Sequence, residues 1–296
     1  MNFMKRMISL IMLVAICVGI LPIHQAEAAS SVNIMSYNLK NTNYSFSKVT
    51  SMVKSASADV VGMQEVTTLQ QTGMTLAMKK AGYGIVKGKA RGTNSWKEGN
   101  EYNPIYYKTS KLSVYAQGTF WLSDTPTKAS KFSDSAYNRI CTWACFQIKG
   151  TNDYFLMFNT HLDFTDAVKV KQLNVILTQA VAKEAHYIKT KNRIVITGDL
   201  NANSSSTVCK YLQGDAKFNG SANTITKTRF DEARQIAKKV ISNSFGNINT
   251  QPASNPTGDI DHIYVTSAGF TCNSYQVISN AAGSDHLPIV AKLTFK

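Results

Sequence analysis

The sequence predicts an α/β fold in which two mixed β-sheets pack face to face with helices outside. Three observations predict it. Short apolar runs alternate with amphipathic stretches near the start of the chain. Four strand-like runs then follow one another between Asn103 and His161, with almost no helical sequence among them. One long helical stretch, Asp166 to Ile188, precedes a second group of strands. A doubly wound parallel sheet would instead place a crossover helix between successive strands.

Val32 to Asn38 reads as the first strand. Phe46, Val49, Met52 and Val53 recur at helical spacing, Val60 to Glu65 is strand-like, and a second helix covers Leu69 to Ala81. Strands follow at Asn103 to Tyr107, Leu112 to Phe120, Ile140 to Ile148 and Tyr154 to His161. In the long helix, Val168, Leu173, Ile176, Leu177, Ala180 and Val181 form the apolar stripe. Arg193 to Gly198, with Ile194-Val195-Ile196 at its centre, reads as a buried strand. Ser204, Ser205 and Ser206 offer caps for a short helix running through Tyr211. A further helix is expected over Phe230 to Ile241, then strands at Asp261 to Thr266, Thr271 to Ile278 and Ile289 to Phe295.

The first 28 residues read as a secretory signal. Lys5 and Arg6 precede an apolar Ile8 to Leu21, and Ala26-Glu27-Ala28 is a small-x-small cleavage site. The apolar core is too short to span a bilayer, and Ile16 before Cys17 does not suit lipidation. A secreted, monomeric product cleaved after Ala28 is expected, without stable membrane insertion. Residues 29–296 show no repeat, low-complexity tract or Pro-rich linker, so they form one domain. Removing Lys5, Arg6 and Glu27 from 32 basic and 18 acidic residues leaves a net charge of +13. Such a surface favours polyanionic partners, namely nucleic acid, wall polymers or anionic lipid. Cys141 and Cys145 share one face of a strand roughly 13 Å apart, too far to bond each other. Free thiols, or a bridge to Cys209 or Cys272, remain open.

Chemistry is concentrated where apolar runs end. Asn38 closes the first strand and Glu65 the second. Asn159-Thr160-His161-Leu162-Asp163, Gly198-Asp199-Leu200-Asn201 and Ser284-Asp285-His286-Leu287-Pro288 each end a hydrophobic run with Asp, Asn or His. A carboxylate at the end of an apolar strand is costly unless it meets a cation or donors. Several such acids (Glu65, Asp199, Asp261, Asp285) together suit Mg²⁺, Mn²⁺ or Ca²⁺ rather than zinc, because Cys/His finger spacing is lacking. His161 and His286 lie among these acids. His262 follows Asp261 on a strand and should face the opposite side. His186 reads as a surface or packing residue.

This ordered set resembles the endonuclease/exonuclease/phosphatase superfamily over nearly all of residues 29–296. The resemblance implies a four-layer α/β sandwich and metal-assisted hydrolysis of phosphate esters. It implies that Asn38, Glu65 and Asp285 belong to the metal site, with Glu65 the principal ligand. Asp199 and Asn201 would position or activate the attacking water. His286 would act on the phosphate, oriented by Asp261. His161 resembles the second histidine of the deoxyribonuclease branch, with Glu101 as its expected acidic partner, and Arg139 matches a phosphate-contacting arginine.

The expected substrate is DNA, with RNA as a further one. The basic loop Lys87 to Lys97, with Trp96, offers a reach toward a groove or base. Phospholipid head groups, wall polymers and sugar phosphates are the alternatives. No aromatic hairpin for membrane entry is evident, and Phe120-Trp121-Leu122 reads as core. The inositol-phosphatase branch is disfavoured, because Thr257-Gly258-Asp259-Ile260-Asp261-His262 stands where a Trp-Cys-Asp-Arg-type block would be expected. A non-catalytic polyanion-binding protein is the reading from another class.

Overall fold

A computed structural model describes residues 30–92, 100–189, 191–226 and 229–296. The expected signal segment, and Thr93 to Lys97 of the basic loop, lie outside the described residues. The chain begins with β1 (Ser31–Asn38), α1 (Phe46–Ser55), β2 (Val60–Gln64), β3 (Val66–Thr67) and α2 (Thr68–Lys80). Next come β4 (Tyr83–Val86), β5 (Glu101–Tyr102), β6 (Ile105–Lys108), β7 (Leu112–Trp121), β8 (Ile140–Ile148) and β9 (Tyr154–His161). Helix α3 (Asp166–Lys183) ends in a π-helical turn, Glu184–Ile188, and leads to β10 (Ile194–Asp199) and α4 (Thr207–Gln213). Short strands β11 (Lys217–Phe218), β12 (Ser221–Ala222), β13 (Phe230–Glu232) and β14 (Val240–Ile241) precede β15 (Asp261–Thr266), β16 (Phe270–Val277) and β17 (Ile289–Phe295).

Among the described residues two large sheets form, ordered β14-β16-β17-β1-β2-β6-β4 and β13-β15-β10-β9-β8-β7, besides the two-stranded pairs β11-β12 and β3-β5. In the first, β1 is parallel to β2 and antiparallel to β17. In the second, β10 is parallel to β9 and antiparallel to β15. Three apolar cores separate four layers. Met35, Tyr37, Val61 and Met63 pack with Val49 and Met74 of α1 and α2. Val32, Ile34, Val60, Met157, Val195 and Ile263 fill the space between the sheets. Leu156, Phe158, Ile194 and Ile196 pack with Leu173, Ile176 and Leu177 of α3. The structure is therefore the expected sandwich of two mixed sheets flanked by helices. Among the described residues, no helix is long and apolar enough to cross a membrane.

The strand period of two explains the polarity of one end. On β1, Val32, Ile34, Ser36 and Asn38 alternate with Met35 and Tyr37. On β9, Phe155 and Met157 give way to Asn159 and His161. On β10, Val195 gives way to Thr197 and Asp199. The space between the sheets thus grades from apolar through amide and hydroxyl to charged. At the middle level Gln64 Nε2 donates to Asn159 Oδ1 at 2.7 Å and to Ser36 Oγ at 3.2 Å. Asn159 Nδ2 donates to Met63 O at 2.8 Å and Pro104 O at 3.1 Å. Gly62 makes room for this plug, because a Cβ there would collide with Thr197 Oγ1 and Asn159 Oδ1.

The second helix begins with a capping box in which Gln70 N donates to Thr67 Oγ1 and Thr67 N to Gln70 Oε1. Gln70 Nε2 also holds Lys40 O and Asn43 O, at 2.9 and 2.8 Å, which ties down the loop after β1.

Two expectations need correction. Phe230 to Ile241 is not a helix. Phe230, Asp231 and Glu232 pair with Thr266, Val265 and Tyr264, so completing a sheet edge outweighs the helical spacing of the apolar residues. Val181 leaves the α3 stripe and is exposed. Of the two states left open for the cysteines outside the signal segment, the structure has the free one, and all four are buried. Cys272 packs between the sheets, whereas Cys141, Cys145 and Cys209 pack on the helix side of the second sheet. Phe120, Trp121 and Leu122 are core residues, as expected.

Gly62→Ala should lower stability by about 1–3 kcal/mol through overpacking. Calorimetry of the purified variant checks this. An unchanged Tm would mean that the sheets do not meet closely at Gly62.

Candidate active site

Five strand ends meet at the polar edge. Asn38 closes β1, Glu65 follows β2, His161 closes β9, Asp199 closes β10 and Asp261 opens β15. Strand register sets the centre: Asp199 lies opposite His161 on one neighbour and opposite Asp261 on the other. His286 arrives on the turn before β17. Ser284 Oγ donates to Asn38 O at 2.7 Å and accepts from His286 N–H at 3.1 Å. Leu287 N–H donates to Thr250 O at 2.7 Å.

Hydrogen bonds orient the side chains. His286 Nδ1 donates to Asp261 Oδ2 at 2.8 Å, and Thr250 Oγ1 donates to the same oxygen at 2.6 Å. His286 Nε2 stands 3.8 Å from Asp199 Oδ2, and His161 Nε2 stands 3.7 Å from it. Asn38 Nδ2 donates to Glu65 Oε1 at 2.9 Å and to Asp199 Oδ2 at 3.0 Å. Asn201 N–H donates to Asp199 Oδ1 at 2.9 Å, and its Nδ2 donates to Leu162 O at 2.9 Å and His161 Nε2 at 3.1 Å. Glu65 and Asn201 hold left-handed backbone, with φ of 59° and 47°. Such positions cost on the order of 1–3 kcal/mol and persist only where the surroundings impose them.

The two histidines differ in charge. Burial opposes a cation at His286, but the field and hydrogen bond of Asp261 override it and push the imidazole up to about 10. Burial, then the charges of Arg139, His286 and Arg91, hold His161 well below the usual histidine value. His161 is therefore a neutral ring whose Nε2 accepts from Asn201, while His286 is an imidazolium. Burial, and next the Asp261 charge, raise the Asp199 carboxyl above its ordinary range.

Two groups of side chains could hold a cation: Glu65–His161–Asp199 and Asp199–Asp261–His286, with ligand atoms within 4.8 Å of one another in each. The first fits a hard divalent ion better. It offers two carboxylates and a neutral imidazole, whereas the second contains the imidazolium of His286.

The sequence model of the Endonuclease/Exonuclease/phosphatase family matches residues 35–286. The chain belongs to this family. Its members are hydrolytic phosphoesterases. A family structure from Bacteroides vulgatus is 23% identical, has a TM-score of 0.75 and is matched over 90% of this chain and all of that one, which shows a common fold. The mannosyl-6-phosphatase of Bacteroides thetaiotaomicron is 27% identical with a TM-score of 0.71, over 89% of this chain and all of that one. The RNA exonuclease NGL1 of Saccharomyces cerevisiae is 32% identical over 99 residues. That match spans 31% of this chain and only 27% of the yeast protein's length.

Within this family member, Asn38, Glu65, His161, Asp199, Asn201, Asp261 and His286 converge through the contacts above. Four details depart from expectation. Glu101 is not hydrogen-bonded to His161. Its Oε2 lies 3.3 Å from Arg91 Nη1, and His161 Nδ1 is buried without a hydrogen-bond partner. Asp285 joins neither cation-holding group, being 42% exposed and paired with Lys40 at 3.3 Å. Asn38 turns its amide nitrogen, not its oxygen, toward the carboxylates. Arg91 of the basic loop is buried against Glu101 instead of facing solvent. Arg139 is buried, and its charge is felt by His161.

His262 does face away from the polar edge, yet it supports it. Nδ1 meets Glu232 Oε1 at 3.1 Å and Nε2 meets Ala202 O at 2.8 Å. Both partners are acceptors, so both ring nitrogens carry protons. The buried cation grips the residue after Asn201 from beneath. Arg234 bonds Glu232 Oε2 at 3.0 Å and Ser204 Oγ at 2.9 Å, and Ser204 is held by Asp259 as well. The Asp-His-Ile stretch signalled a strand, but nothing in sequence paired His262 with Glu232.

In metal-free protein the His286 ring should titrate near 10, and Asp261→Asn should bring it down toward the ordinary value of about 6.5. NMR of the imidazole Cε1–H measures both midpoints. The linked stability is complete below about pH 6.5 and is lost as pH rises through about 10. A wild-type midpoint near 6.5 would remove the charge assigned to His286.

Proposed function

We propose that this protein is a secreted, monomeric, Mg²⁺-dependent phosphodiesterase that cleaves DNA, and also RNA, without sequence preference. The observation that carries the reading is the pairing of a carboxylate group able to hold a cation with an imidazolium beside it. A phosphate diester needs both: charge neutralisation on its non-bridging oxygens and a proton source for the departing one. The net charge of +14 over the whole sequence supports a polyanionic substrate. Mn²⁺ and Ca²⁺ are the other ions the oxygen-rich group would accept.

Glu65 and Asp199 would hold the cation, with His161 joining them only if its Nε2 leaves Asn201, and the ion would supply Lewis-acid stabilisation of charge on the phosphoryl oxygens. Asp199, raised in pKa and held by the Asn201 N–H, accepts the proton of the attacking water. His286, kept protonated by Asp261, donates to the phosphoryl or leaving oxygen. Arg139 adds fixed positive charge at the same edge. Neutral His161 positions through its Nε2 and does not neutralise charge.

A second reading, a sugar-phosphate phosphatase, is favoured by the extended match to the mannosyl-6-phosphatase.

Supercoiled plasmid with Mg²⁺ should be converted to nicked and linear forms, and chelator should stop the reaction. Glu65→Ala and His286→Ala should each lower the rate at least about 100-fold. Hydrolysis of mannose 6-phosphate with plasmid and RNA left intact would sink the nuclease reading and support the second. DNA binding with no hydrolysis of any phosphate ester would make the protein a polyanion binder.

A further inference from the structure

We propose that Phe164, backed by Tyr137, is a stacking platform for one nucleobase beside the scissile phosphate. The proposal rests on the nuclease reading and goes on to say how the substrate is gripped. Phe164 stands three residues after His161, next to the buried pair Leu162 and Asp163, yet the residue is 56% exposed. A singly exposed aromatic is ordinary on a protein surface, and what sets this one apart is its place against the Arg139 guanidinium.

The ring is held in place rather than loose. Asp163 accepts from Phe164 N–H at 2.8 Å and from Tyr137 N–H at 3.2 Å, and its own N–H donates to Gln172 Oε1 at 2.9 Å. The Phe164 and Tyr137 rings meet edge to face with centroids 5.9 Å apart. The Arg139 guanidinium lies 5.5 Å from the Phe164 centroid and 5.2 Å from that of Tyr137. One buried carboxylate and one arginine thus couple the ring to the phosphate-facing edge. Much of the entropy of ordering it is lost on folding instead of on binding.

The size of the feature selects its ligand. A single anchored ring offers one aromatic face, which matches one base and gives about 1–3 kcal/mol of sequence-tolerant stacking. A bilayer would require a wider apolar surface or several anchors.

The test is binding in chelator, where no turnover occurs. Fluorescence anisotropy compares a short labelled single-stranded oligodeoxynucleotide with an abasic strand carrying the same number of phosphates. Wild type should bind the base-bearing strand about 5- to 150-fold more tightly. Phe164→Ala should erase that preference while leaving abasic-strand affinity unchanged, and Phe164→Trp should keep it. Equal wild-type affinity for the two strands would overturn the platform. So would an equal loss on both strands in Phe164→Ala, which would reduce Phe164 to a support for Arg139. If plasmid cleavage persists in either case, only the platform fails. Wild type that binds neither strand and cuts no plasmid would remove the platform and the nuclease reading together.

Discussion

Asp199 is buried between two neighbours chosen by strand pairing, His161 on one side and Asp261 on the other. Two carboxylates that close repel each other, and burial removes the water that would screen them. The arrangement holds because donors surround it. The Asn38 amide bridges Glu65 to Asp199, the Asn201 backbone caps the far oxygen, and His286 binds Asp261 as a cation. Each of these donors comes from a different strand end or turn. The charged centre is therefore a property of how the strands are spaced, and that spacing traces to Gly62 and the Gln64–Asn159 plug below it.

Much of this was legible in the chain. Period-two alternation in β1, β9 and β10 marks which residues face inward, and the switch from Val or Met to Asn, Thr and Asp marks where that inner space turns polar. Asn38, Glu65, His161, Asp199 and His286 could be selected because they stand where apolar runs end, and the family resemblance assigned Asp261 and Asn201. What remained hidden depends on contacts across layers. Glu101 occupies an expected position, yet Arg91, ten residues earlier on the same loop excursion, is its ion-pair partner. Asp285 lies in a recognisable motif, but its side chain alternates away from His286 and finds Lys40. The stretch after Phe230 has helical spacing, and only the open edge of β15 turns its first residues into a strand.

The histidines illustrate the same boundary. Three lie beside acids in sequence or space, and their chemistry follows from what each ring nitrogen meets. His286 has a carboxylate, His161 has an amide donor and nearby guanidinium charge, and His262 has two acceptors. Residue identity does not distinguish these cases, whereas hydrogen-bond direction does. The Glu232–His262 pair also shows that the strained Asn201 turn has an ionic foundation on the far side of its sheet.

In each sheet a central strand runs parallel to one neighbour and antiparallel to the other, and the two triplets face each other. Asn38, Glu65 and His286 belong to one leaf, and His161, Asp199, Asn201 and Asp261 to the other. The cluster of acids and imidazoles thus straddles a seam, and neither leaf holds it whole. A slight parting of the leaves would separate donor from acceptor long before either leaf lost its own strand pairing, so the integrity of the cluster reports on the closure of the seam and not on the amount of sheet present.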